Sequence, residues 1–234
     1  MEHLHASTGA EVFAFGRGDD DLGGRASWLP RGDAGCFEVV RDLVRRSQPS
    51  HVLHLAGRMP PASDAEMWAS NVGLAATWLE AVAQASPTTR VVLVGSAAEL
   101  GPQLDERADE DHPTRPAQTY GLSKLAQTRL ALSYARERGV QAVVGRPFNV
   151  IGPGAGPGGV VGQTIHQLCR TPAPEVLRLG RLDTVRDFVD VRDVARALWT
   201  IAQVGRVGEV YNVASGRGVS VLEVVQTLVE VAGG

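Results

Sequence analysis

Apolar runs of strand length alternate with amphipathic stretches of helix length along the whole chain. Val12-Phe13-Ala14-Phe15 predicts a strand closing on Gly16-Arg17-Gly18, and a helix over 37–46 follows with Phe37, Val40, Leu43 and Val44 on one stripe. A short strand over 51–55 closes on Ala56-Gly57, and Ser63-x-x-Glu66 is a capping-box pattern opening a long helix over 64–85. The unbroken apolar run 90–94 predicts a strand buried on both faces. A second long helix over 118–138 stops at Gly139, and a strand over 141–144 leads into a Gly/Pro-rich loop at 152–159. Shorter elements follow: a helix near 160–170, a strand over 176–179, a helix over 191–204 and a strand over 210–213. The last is a helix from Ser220, where Ser220-x-x-Glu223 repeats the capping signal. This alternation predicts right-handed βαβ crossovers and an α/β, doubly wound parallel sheet.

The two ends depart from that plan. A doubly wound sheet that binds a dinucleotide begins with a strand, a glycine-rich turn and a helix. Here 4–8 reads as the tail of such a helix stopped at Gly9, with no strand before it, and the final helix is followed only by Gly233-Gly234. The expectation is a sheet truncated at its first strand, with roughly 20 residues missing from a βαβ unit of about 30. Residues 1–150 are expected to form the dinucleotide-binding domain without that strand, and 151–234 a small, incomplete substrate lobe.

Composition narrows the function. A net charge of −3 over 234 residues gives no electrostatic reason to bind nucleic acid or anionic lipid. No apolar run approaches the ~18 residues of a membrane span, and the N-terminus lacks a signal-peptide layout, so the expected location is cytoplasmic. Cys36 and Cys169 make no disulfide framework, and His51 and His112 have no partners at ligand spacing, so no metal site is expected.

Tyr120-Gly-Leu-Ser-Lys124 puts a phenol and an ammonium on one helix face. An ammonium nearby favours phenolate, which makes Tyr120 a candidate general acid/base with a lowered pKa. Ser96 falls just past the buried strand 90–94, at the end of an open sheet where ligands bind. A hydroxyl there could hold a substrate carbonyl while Tyr120 exchanges the proton; the blander alternatives are a surface Tyr–Lys pair and a turn serine.

With these residues the chain resembles the extended short-chain dehydrogenase/reductases, the NAD-dependent epimerase/dehydratase family. His54-Leu-Ala-Gly57 is similar to the family's third-strand end, Asn71-Val-Gly73 to its helix Asn, and Val94-Gly-Ser96-Ala-Ala-Glu-Leu-Gly101 to its catalytic Ser/Thr segment. Tyr120-x-x-x-Lys124 matches the catalytic pair, and Arg146-Pro-Phe-Asn149-Val-Ile-Gly152-Pro-Gly154 the substrate-side loop. Arg186-Asp-Phe-Val-Asp190-Val-x-Asp193 and Gly208-Glu-Val-Tyr-Asn212 match the late segments. Within the family the chain most resembles the reductases of GDP-4-keto-6-deoxy-mannose.

The resemblance implies a Rossmann-like fold in which Ser96 orients a keto oxygen, Tyr120 donates the proton, and Lys124 tunes Tyr120 and holds the nicotinamide ribose. It further implies cofactor contacts at Asp33, Leu55, Ala56, Gly57, Asn71 and Pro147, and nucleotide-sugar contacts at Asn149, Val160 and Arg186. A homodimer through helices 64–85 and 118–138 is also implied. A dehydratase would carry an acid pair directly after the hydroxyl residue; Ala97 and Ala98 stand there, with Glu99 one position too late. Leu100 replaces the family's usual Tyr.

Arg17 favours NADP, because an arginine beyond the second strand accommodates a 2′-phosphate where an acid would bond the 2′-OH of NAD. Asp33 reads equally as the family's adenine-side acid and as a plain polar turn. The 154–159 stretch fits G-x-G-x-x-G, but Pro157 removes an N–H a phosphate would need. His54 is read as a satisfied core histidine, and Trp68 and Trp78 as packing along their helix. The leading expectation is NADPH-dependent reduction of a 4-keto nucleotide sugar. The alternatives are a nucleotide-sugar 4-epimerase with bound NAD and, from another class, a cofactor-free pseudoenzyme or binding module.

Overall fold

The structure is a computed structural model describing residues 11–15, 27–28, 33–102, 107–154, 156, 158–170 and 176–233. It divides into two units, Met1–Arg146 with Ala195–Asn212, and Pro147–Val194 with Val213–Gly234.

The first unit is built on a four-stranded sheet. Its strands are β3 (His51–His54), β4 (Arg90–Val94), β5 (Gln141–Pro147) and β8 (Val210–Val213), adjacent in that order. β3 and β4 pair in parallel, as do β4 and β5. β1 (Phe13–Ala14) and β2 (Ser27–Trp28) pair only with each other among the described residues. The expected strand over 12–15 therefore shrinks to two residues.

Period-two alternation sends β4 and β5 side chains to both faces. Val91, Leu93, Ala142 and Val144 join one core with helices α1 (Phe37–Ser47), α3 (Leu74–Ala85) and α4 (Thr119–Arg138). Val92 and Val143 are fully buried on the other face. There Gly145 takes α6 (Val191–Val204) at close range: a Cβ on Gly145 would stand 2.5 Å from Leu198 Cδ2. Arg90 donates to the carbonyls of Ile201 and Gly205, satisfying the end of α6.

The expected helix over 64–85 is interrupted. α2 (Asp64–Trp68) passes into a π turn, Ala69–Gly73, before α3 begins. The extra residue in the turn shifts the helical register, and Asn71, in the middle of it, is fully buried. The Ser63–Glu66 capping box forms as expected.

The second unit holds a small mixed sheet in which β7 (Val185–Asp190) pairs in parallel with β6 (Asn149–Ile151) and antiparallel with β9 (Gly218–Ser220). Helices α5 (Gly159–Leu168) and α7 (Val221–Val231) pack together. The strand expected over 176–179 does not form. The Gln167 side-chain amide takes the place of a neighbouring strand: it accepts from the Arg178 N–H and donates to the Arg178 carbonyl, both at 2.9 Å. The second capping box also fails, for Ser220 makes no side-chain cap bond.

Candidate active site

Ser96 follows the C-terminal end of β4 in extended conformation and caps a short 3-10 turn, Ala97–Glu99. Its Oγ accepts from the Ala98 N–H at 3.2 Å, and Glu99 Oε1 accepts from the Ser96 N–H at 2.8 Å. α4 crosses this turn closely because of Gly121: a Cβ there would stand 2.4 Å from the Ala98 carbonyl oxygen. That approach sets the Tyr120 phenol beside the Ser96 side chain.

Lys124, one turn further along α4, is buried; its Nζ donates to the Val94 carbonyl at 2.7 Å and to Gln127 Oε1 at 2.8 Å. Gln127 Nε2 donates to the same carbonyl at 3.1 Å. Burial lowers the Lys124 ammonium to about 8, against the opposing pull of the Glu99 carboxylate.

The pKa of Tyr120 moves opposite to the sequence expectation. Burial raises it, the Ser96 hydrogen bond opposes, and Glu99 adds to the rise. Helical spacing sets Lys124 on the same face, but its ammonium is committed to Val94 and Gln127. The phenol is therefore protonated at neutral pH.

Asn71 and Gly57 flank this set. Arg58 N–H donates to Asn71 Oδ1 at 2.7 Å, and Asn71 Nδ2 donates to the Arg58 carbonyl and to Ser123 Oγ, both at 2.9 Å. Ser123 Oγ in turn donates to the Tyr120 carbonyl at 2.8 Å. A Cβ on Gly57 would stand 2.9 Å from Asn71 Oδ1 and 3.4 Å from Lys124 Nζ. Bare backbone at 57, next to an ammonium and beside the exposed Leu55 and Ala56, suits the ribose end of a dinucleotide. Asp33 behaves as a turn residue, its Oδ1 accepting from the Gly35 N–H at 2.8 Å. Arg17 lies outside the described residues.

The remaining candidates belong to the second unit. Pro147 is buried at the end of β5. Asn149 and Arg186 lie on the paired strands β6 and β7, and Asn149 Nδ2 donates to the Asp187 carbonyl at 2.9 Å. Arg186 is exposed, and its Nη1 donates to the Val185 carbonyl at 3.4 Å. Val160 lies in the first turn of α5.

Two residues carry more than their sequence reading. His54 is buried as expected but not satisfied, since both ring nitrogens lack a hydrogen-bond partner. Its ring stands edge-on to Trp78, and burial, with Lys124 adding, lowers its pKa to about 4. Glu99 is fully buried and pairs with the buried Arg146 at 3.3 Å. The Ser-x-x-Glu spacing at 96–99, the same as at 63–66, was the available signal for its cap.

A parallel α/β sheet carrying a hydroxyl, a phenol and a buried ammonium at one strand end defines a Rossmann-like protein. Residues 3–214 match the NAD dependent epimerase/dehydratase family, and the chain belongs to it. This is a family of NAD(P)-dependent nucleotide-sugar oxidoreductases and epimerases. The chain is 32% identical to the GDP-6-deoxy-D-mannose reductase of Pseudomonas aeruginosa over 79% of its own length and 64% of the reductase's. It is 31% identical to a UDP-glucose 4-epimerase of Azospirillum brasilense, covering 98% of this chain and 73% of the epimerase. The structure of RMD from Pseudomonas aeruginosa complexed with NADPH superposes with a TM-score of 0.80 at 28% identity, over 99% of this chain and 78% of that one.

Proposed function

We propose that the protein reduces a 4-keto nucleotide sugar with NADPH, using Ser96, Tyr120 and Lys124. The observation that carries this reading is the Tyr120 phenol set beside the Ser96 hydroxyl at the end of β4, one helical turn from the buried Lys124. Reduction of a ketone needs a proton donor, and an un-ionised phenol within reach of the keto oxygen is one. The Ser96 hydroxyl donates to the keto oxygen and so holds it beside Tyr120. Tyr120 passes its proton to that oxygen as the carbonyl carbon gains hydride, and recovers a proton from solvent. Lys124 and the bare backbone at Gly57 hold the ribose side, with Asn71 fixing the backbone beside Gly57, and NADPH supplies the hydride when bound. Ala97 and Ala98 leave no acid pair for dehydration, and Arg17 supports the 2′-phosphate form of the cofactor. Asn149, Val160 and Arg186 are assigned to the nucleotide sugar. The likeness to a reductase, and to a structure complexed with NADPH, supports the same direction.

The test is titration of this chain with NADPH and NADH by reduced-nicotinamide fluorescence, followed by a ketosugar reductase assay. Micromolar NADPH binding with weaker NADH binding is expected. Binding of neither would sink the reading and favour the cofactor-free binding module. The likeness to an epimerase supports a second reading, a 4-epimerase holding NAD. A cofactor that co-purifies in oxidised form would select it. We assign the homodimer face to α2, α3 and α4, where Trp68 and Leu122 are exposed; sedimentation of Leu122→Glu against the parent tests it.

A further inference from the structure

Glu99 collects more partners than a three-residue turn needs. Its carboxylate accepts from the Ser96 N–H at 2.8 Å and Thr128 Oγ1 at 3.0 Å through Oε1, and from Arg146 Nε at 3.3 Å through Oε2. Arg146 is buried as well, with Nη1 donating to Asn212 Oδ1 at 3.4 Å. The backbone gives way for the carboxylate, since a Cβ on Gly95 would stand 2.5 Å from Glu99 Oε1. Capping alone does not require this burial: Glu66 closes the same kind of box at the surface.

We propose that Glu99 is a positioning residue for the catalytic set, fixing the Ser96 backbone through its amide and keeping a buried negative charge behind Tyr120 and Lys124. The proposal rests on the reading of Ser96, Tyr120 and Lys124 given above. Burial raises the Glu99 pKa, while the Arg146 guanidinium and the donors from Ser96 and Thr128 hold it down; ionised, the carboxylate favours the protonated form of both neighbours. It adds to the rise at Tyr120 and opposes the burial-driven fall at Lys124. Among the described residues, Lys124 is also flanked by the Tyr120 phenol one turn back on α4, His54 on β3, neutral at pH 7, the uncharged acceptors Val94 O and Gln127 Oε1, and, beyond Glu99, the Arg146 guanidinium. An ion pair with only a structural role would support the turn without setting the protonation of Lys124.

The sequence makes this measurable, because Lys124 is its single lysine. Protein labelled with 13Cε-lysine gives one side-chain resonance, whose pH titration reads Lys124 directly. The parent midpoint is expected near about 8. Glu99→Gln keeps an acceptor for the Ser96 amide but removes the charge, and its midpoint is expected at lower pH. Thr128→Val removes one donor and leaves the charge, so its midpoint stays with the parent. Glu99→Gln strands a buried Arg146; if that variant does not fold, Glu99→Gln combined with Arg146→Met removes both charges and is expected to show a smaller downward shift, since loss of the Arg146 cation partly offsets loss of the carboxylate. An unchanged or higher midpoint, or a double variant that cannot fold, overturns the proposal in favour of a purely structural pair. Failure of the parent to bind NADPH would remove the reductase reading and leave this titration decisive for the coupling.

Discussion

The Asn71 carboxamide mimics a backbone partner for Arg58, accepting from its N–H at 2.7 Å and donating to its carbonyl at 2.9 Å. The π turn at Ala69–Gly73 presents Asn71 for this role, and the second amide hydrogen continues to Ser123 on α4. The backbone beside Gly57 is thereby tied to the helix that carries Tyr120 and Lys124.

Asn71→Ala leaves the Arg58 N–H and carbonyl without these partners and opens a small cavity. Unsatisfied polar groups cost about 1–3 kcal/mol each where buried, so the expected loss is about 3 kcal/mol. Urea denaturation measures it. A loss below about 1 kcal/mol would mean that solvent replaces the carboxamide.

Tyr120→Phe removes the proton donor and leaves the fold intact. Reduction should fall by about 10²–10⁴-fold, the usual contribution of a positioned acid, with NADPH affinity nearly unchanged. Residual activity near the parent level would reassign the proton to another group.

NADPH affinity should follow the Lys124 ammonium, which is lost as pH rises through about 8. If the ribose requires the charged form, binding weakens about tenfold between pH 7 and pH 9. Fluorescence titration across that range checks this, and a flat profile would show that the charge plays no part.

His54 makes the fold acid-sensitive. Its folded pKa of about 4 lies below the unfolded value of 6.5, so the unfolded state binds more protons between them and stability falls as pH drops through that window. The expected loss from pH 7 to pH 5 is about 2 kcal/mol. His54→Leu removes the titration and two unpartnered nitrogens, so its denaturation midpoint should vary less over this range. An equal acid sensitivity in the variant would place the titrating group elsewhere.

Gly95→Ala forces a Cβ against Glu99 Oε1. The variant should lose about 1–3 kcal/mol, the usual cost of overpacking, and should move the Ser96 turn. A shift of the Ser96 amide resonance together with a lower denaturation midpoint is the expected pair of results.

Much of the architecture was legible along the chain because burial on both faces leaves a local trace. The unbroken run at 90–94 and the stripe Phe37, Val40, Leu43, Val44 each announce their element. Tyr120 and Lys124 could be put on one face from helical spacing alone. Elements that depend on distant partners were misread. The stretch 176–179 looks like a strand until Gln167 takes both backbone groups of Arg178, and the helix over 64–85 looks continuous until Asn71 turns inward to Arg58 and Ser123.

The same division runs through the site. The sequence by itself determined the alternation of strands and helices, the hydroxyl past β4 and the phenol–ammonium pair, since each follows from short-range periodicity or strand position. Only the tertiary structure decided that Gly121 lets α4 touch the Ser96 turn, that Tyr120 is pushed toward the protonated form, and that Glu99 lies buried against Arg146. Desolvation and charge–charge energies depend on what surrounds a group in space, and residues 47 positions apart in the chain, such as Glu99 and Arg146, carry no local mark of meeting.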